Sequence, residues 1–64
     1  MVNKATILLV EDEENLHEAL KLNLELDGYE VTSAYDGKLA LEAVNKEFFN
    51  LIILMENIHT ASIR

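Results

Sequence analysis

Two adjacent carboxylates, Glu11 and Asp12, are the side chains of this sequence best suited to bind a metal ion. They directly follow the apolar run 6–10, and a second apolar run, 51–54, is directly followed by Met55. If both runs are parallel strands, their carboxyl ends meet at one edge of a sheet, where open α/β proteins bind ligands. Mg²⁺ prefers hard oxygen ligands, whereas a thioether is a soft ligand that suits it poorly. Two interpretations therefore remain open: a weak Mg²⁺ site, or a solvated acidic turn that helps to begin a helix.

Other side chains that bind metals are few. The sequence contains no cysteine, which excludes disulfides and cysteine-ligated zinc. His17 falls on the polar side of the first predicted helix and is expected to be exposed. His59 would approach Glu56 only if the residues after 55 were helical, and two such ligands do not make a metal site.

Five segments alternate between strand and helix character. The runs 6–10 and 51–54 are short and continuously apolar, as in strands that are covered on both faces. Residues 29–34 mix polar, aromatic and β-branched types, which is typical of an edge strand. Helical spacing predicts one helix between each pair of strands. The first carries Leu16, Ala19, Leu20 and Leu24 and ends at Asp27-Gly28; the second follows Asp36 as N-cap and carries Ala40, Ala43 and Val44.

Strand-helix-strand-helix-strand alternation predicts a parallel α/β fold. Right-handed crossovers place the strands in the order 2-1-3 and put the two helices on opposite faces of the sheet. The uniformly apolar first strand is then central. Four aromatic residues near the element ends are expected to pack rather than to act chemically. They are Tyr29, Tyr35, Phe48 and Phe49.

Composition limits the class of protein. The chain has 64 residues, which allows one small domain, and such a domain buries only ~60% of the surface of its unfolded chain. Twelve acidic residues against five basic ones give a formal net charge of −7, which argues against nucleic-acid binding. No apolar run approaches the ~18 residues of a membrane span. We expect a soluble, cytoplasmic protein.

The sequence resembles the receiver domains of two-component response regulators. The segments that carry the resemblance are 7–13, 28–31, 34–37 and 51–54, with the sequences Ile-Leu-Leu-Val-Glu-Asp-Glu, Gly-Tyr-Glu-Val, Ala-Tyr-Asp-Gly and Leu-Ile-Ile-Leu. The resemblance implies a doubly wound, flavodoxin-like fold and Mg²⁺-dependent transfer of a phosphoryl group from a sensor histidine kinase to an aspartate. It also implies that Glu11 and Asp12 match the acidic pair that holds the ion.

Position 55 departs from the family's pattern. The resemblance places the acceptor aspartate directly after the third strand, where this sequence has Met55. A thioether is not a nucleophile toward phosphorus in such a setting. Residues 55–64 also lack the family's proline-containing loop, and the threonine or serine and the lysine of later strands are absent. We therefore interpret residues 1–54 as a truncated receiver domain and 55–64 as a tail outside the family, with no enzymatic activity and no required cofactor.

Two alternatives stay open at this point. In the first alternative, the chain is a receiver that still binds Mg²⁺ and accepts a phosphoryl group on a substitute carboxylate, Glu56. Side chains alternate along a strand, so a shift of one residue would point the Glu56 carboxylate away from the acceptor position. Alternatively, the residues after Leu54 are a frame-shifted or engineered tail.

The third strand has the composition of an interior strand but is the last one predicted. Residues 51–54 carry neither charge nor proline, the devices that protect natural sheet edges from pairing with other chains. We expect two chains to form a homodimer through Leu51, Ile52, Ile53 and Leu54. A two-fold axis perpendicular to the sheet would give six strands in the order 2-1-3-3-1-2.

Overall fold

The fold consists of three parallel strands and two helices. A computed structural model describes residues 4–55 of the chain. The elements are β1 (Thr6–Val10), α1 (Glu14–Leu26), β2 (Glu30–Ala34), α2 (Gly37–Lys46) and β3 (Leu51–Leu54). Both β2 and β3 pair in parallel with β1, so the sheet has the order β2-β1-β3. The predicted fold class, that of a partial flavodoxin-like receiver fold, is confirmed.

The core lies on the two faces of the central strand. Leu8 and Val10 form a buried cluster with Ala34 of β2, and α2 packs against this cluster. Side chains alternate along a strand, so the equally buried Ile7 and Leu9 face the opposite side, which α1 covers. Because both faces of β1 are covered, every residue from 7 to 10 is apolar.

Helix α2 packs on the sheet through small residues and begins at a side-chain cap. The Asp36 carboxylate accepts a hydrogen bond of 2.8 Å from the Leu39 N–H, so Asp36 is the predicted N-cap. Ala40 and Ala43 pack against the buried cluster together with Phe49. The expected packing role of Phe48 is wrong, since 78% of its surface is exposed.

Helix α1 is bounded by residues that cap its ends. The Glu13 carboxylate accepts a hydrogen bond of 2.7 Å from the Leu16 N–H at the start of the helix. Asp27 is the C-cap, and the following Gly28 has a φ of 99°, a left-handed conformation that favours glycine. These ends agree with the predicted helix.

The inward face of α1 differs from the predicted one. His17, Leu20, Lys21 and Leu24 are buried or half-buried, at the helical spacing i, i+3, i+4 and i+7. Leu16 and Ala19 were expected to face inward but are exposed. The expectation that His17 is exposed is also wrong, because none of its surface is accessible. The helix has apolar residues around much of its circumference, so apolar spacing alone did not identify the face that packs.

Strand β3 is the least covered element. Both helices contact β1 and β2, but among the described residues neither contacts β3. As a result Leu51, Ile52 and Leu54 are 53%, 51% and 64% exposed, and Ile53 is half-buried. Within the part of the chain that the structure describes, β3 is an edge strand with apolar side chains exposed on both faces.

Candidate functional site

The acidic turn and Met55 lie side by side at the carboxyl edge of the sheet. Glu11 and Asp12 directly follow β1, and Met55 directly follows β3. The Met55 N–H donates a hydrogen bond of 3.0 Å to the Val10 carbonyl. The sheet edge therefore brings together the residues that the sequence predicted to meet there.

Glu11 is built into the structure of the turn. Only 1% of its surface is exposed, and its N–H donates a 3.1 Å hydrogen bond to the Ala34 carbonyl. Its carboxylate accepts a 2.6 Å hydrogen bond from the Glu13 N–H. The interpretation as a solvated turn is therefore wrong for Glu11, although the acidic side chains do help to begin α1. Asp12 is exposed.

This set of donors fits Mg²⁺ poorly. The ion requires near-octahedral oxygen coordination, and the residue that follows the neighbouring strand β3 is Met55, whose thioether is a soft ligand. One oxygen of the Glu11 carboxylate already accepts a backbone N–H. In the described range 4–55, no group of three or more histidines or carboxylates could hold a metal ion. Glu56 and His59 lie outside the described residues.

The buried His17 is hydrogen-bonded to the backbone of the acidic turn. Its Nδ1 lies 2.9 Å from the Glu11 carbonyl oxygen. A carbonyl can only accept, so Nδ1 carries the proton and donates it. The imidazole also stacks on the Tyr35 ring, with centroids 4.1 Å apart and planes inclined by 17°. Its second nitrogen, Nε2, is buried without a hydrogen-bond partner in the described structure.

Tyr35 connects the end of β2 to α1. Its hydroxyl donates a 3.1 Å hydrogen bond to the Glu18 carboxylate. Desolvation raises the pKa of the Tyr35 phenol above its ordinary value, and the neighbouring Glu18 carboxylate raises this pKa further. The stacked pair of His17 and Tyr35 thus joins the acidic turn, α1 and the residue before the α2 cap.

The stacked pair of His17 and Tyr35 was not predicted from the sequence. The usable signal was the spacing of His17 with Leu20 and Leu24, which places all three on one face of α1. Tyr35 follows β2 two residues after Ser33, so both project toward the face that α1 covers. Its contact with His17 depends on the position of α1 on the sheet, which the sequence alone does not give.

No helix in the described range is long and apolar enough to cross a membrane. This finding bears only on helices of that range.

Comparison with known proteins identifies the family. Residues 7–60 match the response regulator receiver domain, a match that extends beyond Leu54 into the segment predicted as a tail. Response regulator ArlR of Staphylococcus saprophyticus is 46% identical over 48 residues, which are 75% of this chain and 22% of that protein. The uncharacterized transcriptional regulatory protein YkoG of Bacillus subtilis is 40% identical over 53 residues, which are 83% of this chain and 23% of that protein.

A further relative, response regulator ArlR of Staphylococcus aureus, is 44% identical over 48 residues, or 75% of this chain and 22% of that protein. The chain therefore spans less than a quarter of the length of these relatives. No solved structure matches it significantly. By the family match over most of its length, by these identities and by its fold, the chain belongs to the response regulator receiver domain family.

Proposed function

We propose that this receiver domain of two-component signalling does not accept a phosphoryl group and acts as a module that pairs with a second polypeptide. The observation that supports the first part is the position of Met55. It directly follows β3 and lies beside the acidic turn, where the family resemblance requires a phosphate-accepting aspartate.

The chemistry of methionine explains the proposed loss of phosphotransfer. A phosphoryl acceptor must be a good nucleophile toward phosphorus, such as the anionic oxygen of a carboxylate. The neutral thioether of Met55 is a soft, poor nucleophile toward phosphorus, and its attack would leave a positively charged sulfonium with no proton to lose. We propose on this basis that the chain is not an enzyme in the sense in which its family catalyses its own phosphorylation.

The acidic pair also offers few free ligands for a metal ion. Mg²⁺ would require ligands beyond Glu11 and Asp12, and the Glu11 carboxylate is buried and accepts the Glu13 N–H. Opening that hydrogen bond to bind the ion would weaken the start of α1. We therefore propose that Mg²⁺ is not required for folding and binds at most weakly to the acidic pair.

Family membership also suggests an ancestral partner. Receiver domains take their phosphoryl group from a sensor histidine kinase, according to the resemblance. A chain with no acceptor would not receive it, so we propose that contact with a kinase would not modify this protein. The pairing surface that we propose instead is the exposed strand β3.

Intact-mass measurement after incubation with acetyl phosphate and Mg²⁺ tests the proposal that the chain does not accept a phosphoryl group. We expect no gain of a phosphoryl group, while an unrelated receiver domain with an acceptor aspartate gains one in the same buffer. A gain that disappears in a Glu56→Gln variant would instead establish the alternative of a substitute carboxylate. Any stable gain in the unmodified chain contradicts the proposal.

A further inference from the structure

We infer that Asn50 determines which residue follows β3 at the carboxyl edge of the sheet, because it fixes the register in which β3 pairs with β1. Its contacts with Thr6 put Met55, and not Glu56, directly after the paired strand. This inference rests on the proposed function, in which the occupant of the acceptor position is decisive, and adds the residue that selects that occupant. Asn50 acts from the opposite edge of the sheet, so it is a positioning residue.

Thr6 and Asn50 form a reciprocal pair of hydrogen bonds where β1 and β3 begin. The Thr6 N–H donates to Asn50 Oδ1 at 2.8 Å, and the Asn50 N–H donates to the Thr6 carbonyl at 2.8 Å. We call these two bonds the Asn50 clasp. The Thr6 hydroxyl adds longer contacts, 3.2 Å from Asn50 Oδ1 and 3.4 Å from the Phe48 carbonyl.

The clasp is possible in only one register of β3. It requires a side-chain oxygen on the residue opposite Thr6, and the neighbours of Asn50, which are Phe49 and Leu51, have none. In the observed register, the one with the clasp, Val10 is paired with Leu54. A shift of β3 by one residue in either direction would take this acceptor away from the Thr6 N–H and so lose a hydrogen bond.

The side chains of β3 do not discriminate between the observed register and the next one. All four are aliphatic, and Met55 extends the apolar run. If Met55 instead of Leu54 were paired with Val10, each β1 residue would exchange one apolar neighbour for another of similar volume, a change that protein cores tolerate well. Among the described residues neither helix contacts β3, so helix packing does not fix its register either.

The connection between α2 and β3 favours a shift in one direction. Phe49 lies in this connection and packs against the buried cluster that contains Val10. A shift that pairs Met55 with Val10 adds one residue to the connection, which costs little entropy and lets Phe49 keep its place. The opposite shift would shorten the connection and draw Phe49 out of the core.

The competing register would change the chemistry at the carboxyl edge. With Met55 paired to Val10, the residue that directly follows the paired strand is Glu56. A carboxylate is an oxygen nucleophile of the kind that the family resemblance requires at this position, whereas a thioether is not. The Asn50 clasp therefore holds the chain in the register that has no acceptor.

Moving the amide by one residue tests the inference. In a double variant, Asn50→Leu with Leu51→Asn, the amide oxygen meets the Thr6 N–H only if β3 shifts by one residue. We expect the register to follow the amide, so that Met55 pairs with Val10. Nuclear Overhauser contacts between backbone protons of β1 and β3 report the pairing directly, and a chain of 7.3 kDa suits this measurement.

Three single variants separate the choice of register from general stability. Asn50→Ala removes the clasp acceptor, and we expect contacts of both registers, with the shifted one in at least about a tenth of the molecules. Asn50→Asp keeps an oxygen that accepts the Thr6 N–H and should retain only the observed register. Thr6→Val removes the hydroxyl with its longer contacts but keeps both bonds of the clasp, so it should also retain that register.

The outcomes distinguish this inference from the proposed function. A double variant that keeps Leu54 paired with Val10 overturns the inference, and so does one that does not fold, because the clasp is retained in it. A folded Asn50→Ala variant with the observed register alone also overturns it; if that variant unfolds, the double variant decides. No phosphoryl transfer enters this measurement, so a phosphoryl gain in the unmodified chain contradicts the proposed function and leaves the register result unaffected.

Discussion

His17 is a polar side chain that is fully buried between α1 and the sheet. Its Nδ1–H bonds the Glu11 carbonyl at 2.9 Å, but its buried Nε2 has no partner among the described residues. The ring stacks on Tyr35. At the scale of single residues, this imidazole fixes the acidic turn to α1 and fills the layer between α1 and the sheet.

Removal of this side chain should be costly. We expect His17→Ala to lower the free energy of unfolding by about 2–4 kcal/mol, because it leaves a cavity and deprives the Glu11 carbonyl of its donor. Leu22→Ala on the same helix is the control, since Leu22 is 57% exposed, and should cost less than about 1 kcal/mol. Urea unfolding at one fixed chain concentration measures both. Equal effects would show that His17 does not support the fold.

The phenol of Tyr35 gives a prediction about pH. Its pKa is raised above 10.0 in the folded chain, first by desolvation and then by Glu18. The protonated phenol is therefore favoured by folding, so its contribution to stability is present below pH 10 and is lost as the pH rises through the folded pKa. Phenolate absorbance of a Tyr29→Phe variant reports Tyr35 alone.

Adding Glu18→Gln to that Tyr29→Phe variant should lower the pH at which Tyr35 ionises, since the carboxylate that disfavours the phenolate is gone. Glu25→Gln in the same background is the control, because Glu25 lies on α1 but is not among the groups that shift Tyr35. An unchanged midpoint in the Glu18→Gln variant would contradict the described contact.

At the scale of elements, the sequence predicted the strands and helices but not which side of α1 packs. Short apolar runs identified β1 and β3, and Asp36 and Gly28 marked the helix ends, because these signals are local. The inward face of α1 depends on the stacking of His17 on Tyr35, which is a contact between distant parts of the chain.

For the candidate site, the sequence predicted which residues meet but not which of them are buried. The positions of Glu11, Asp12 and Met55 at one edge follow from parallel strand order, which the alternation of elements already indicated. The burial of Glu11 could not be predicted, because it results from hydrogen bonds that its backbone and carboxylate form with Ala34 and Glu13.

The role of strand β3 as a dimer interface can be tested by placing a charge on it. We expect Ile52→Lys to abolish dimerisation, because it places a charge on the exposed strand through which we propose that the chains pair. Leu41→Lys is the control: Leu41 is 66% exposed on α2, and this change should leave the dimer intact. Light scattering after size exclusion gives the mass of each variant. A dimer that survives Ile52→Lys would exclude β3 as the interface.

At the scale of the whole molecule, residues 4–55 form a small core. The fully buried apolar residues are confined to β1 and to Ala34 among the described residues, while much of the apolar surface of α1 and β3 stays exposed. A domain of this size is marginal without a partner. Pairing through β3 would cover part of that surface, although it brings together two copies that each carry a net charge of −7.

Sedimentation equilibrium of the unmodified chain, combined with circular dichroism over the same concentrations, is the most direct test of this account. The account predicts a species of twice 7.3 kDa whose helical signal declines as dilution dissociates it. A species of 7.3 kDa that keeps its full helical signal at the lowest measurable concentration would contradict it.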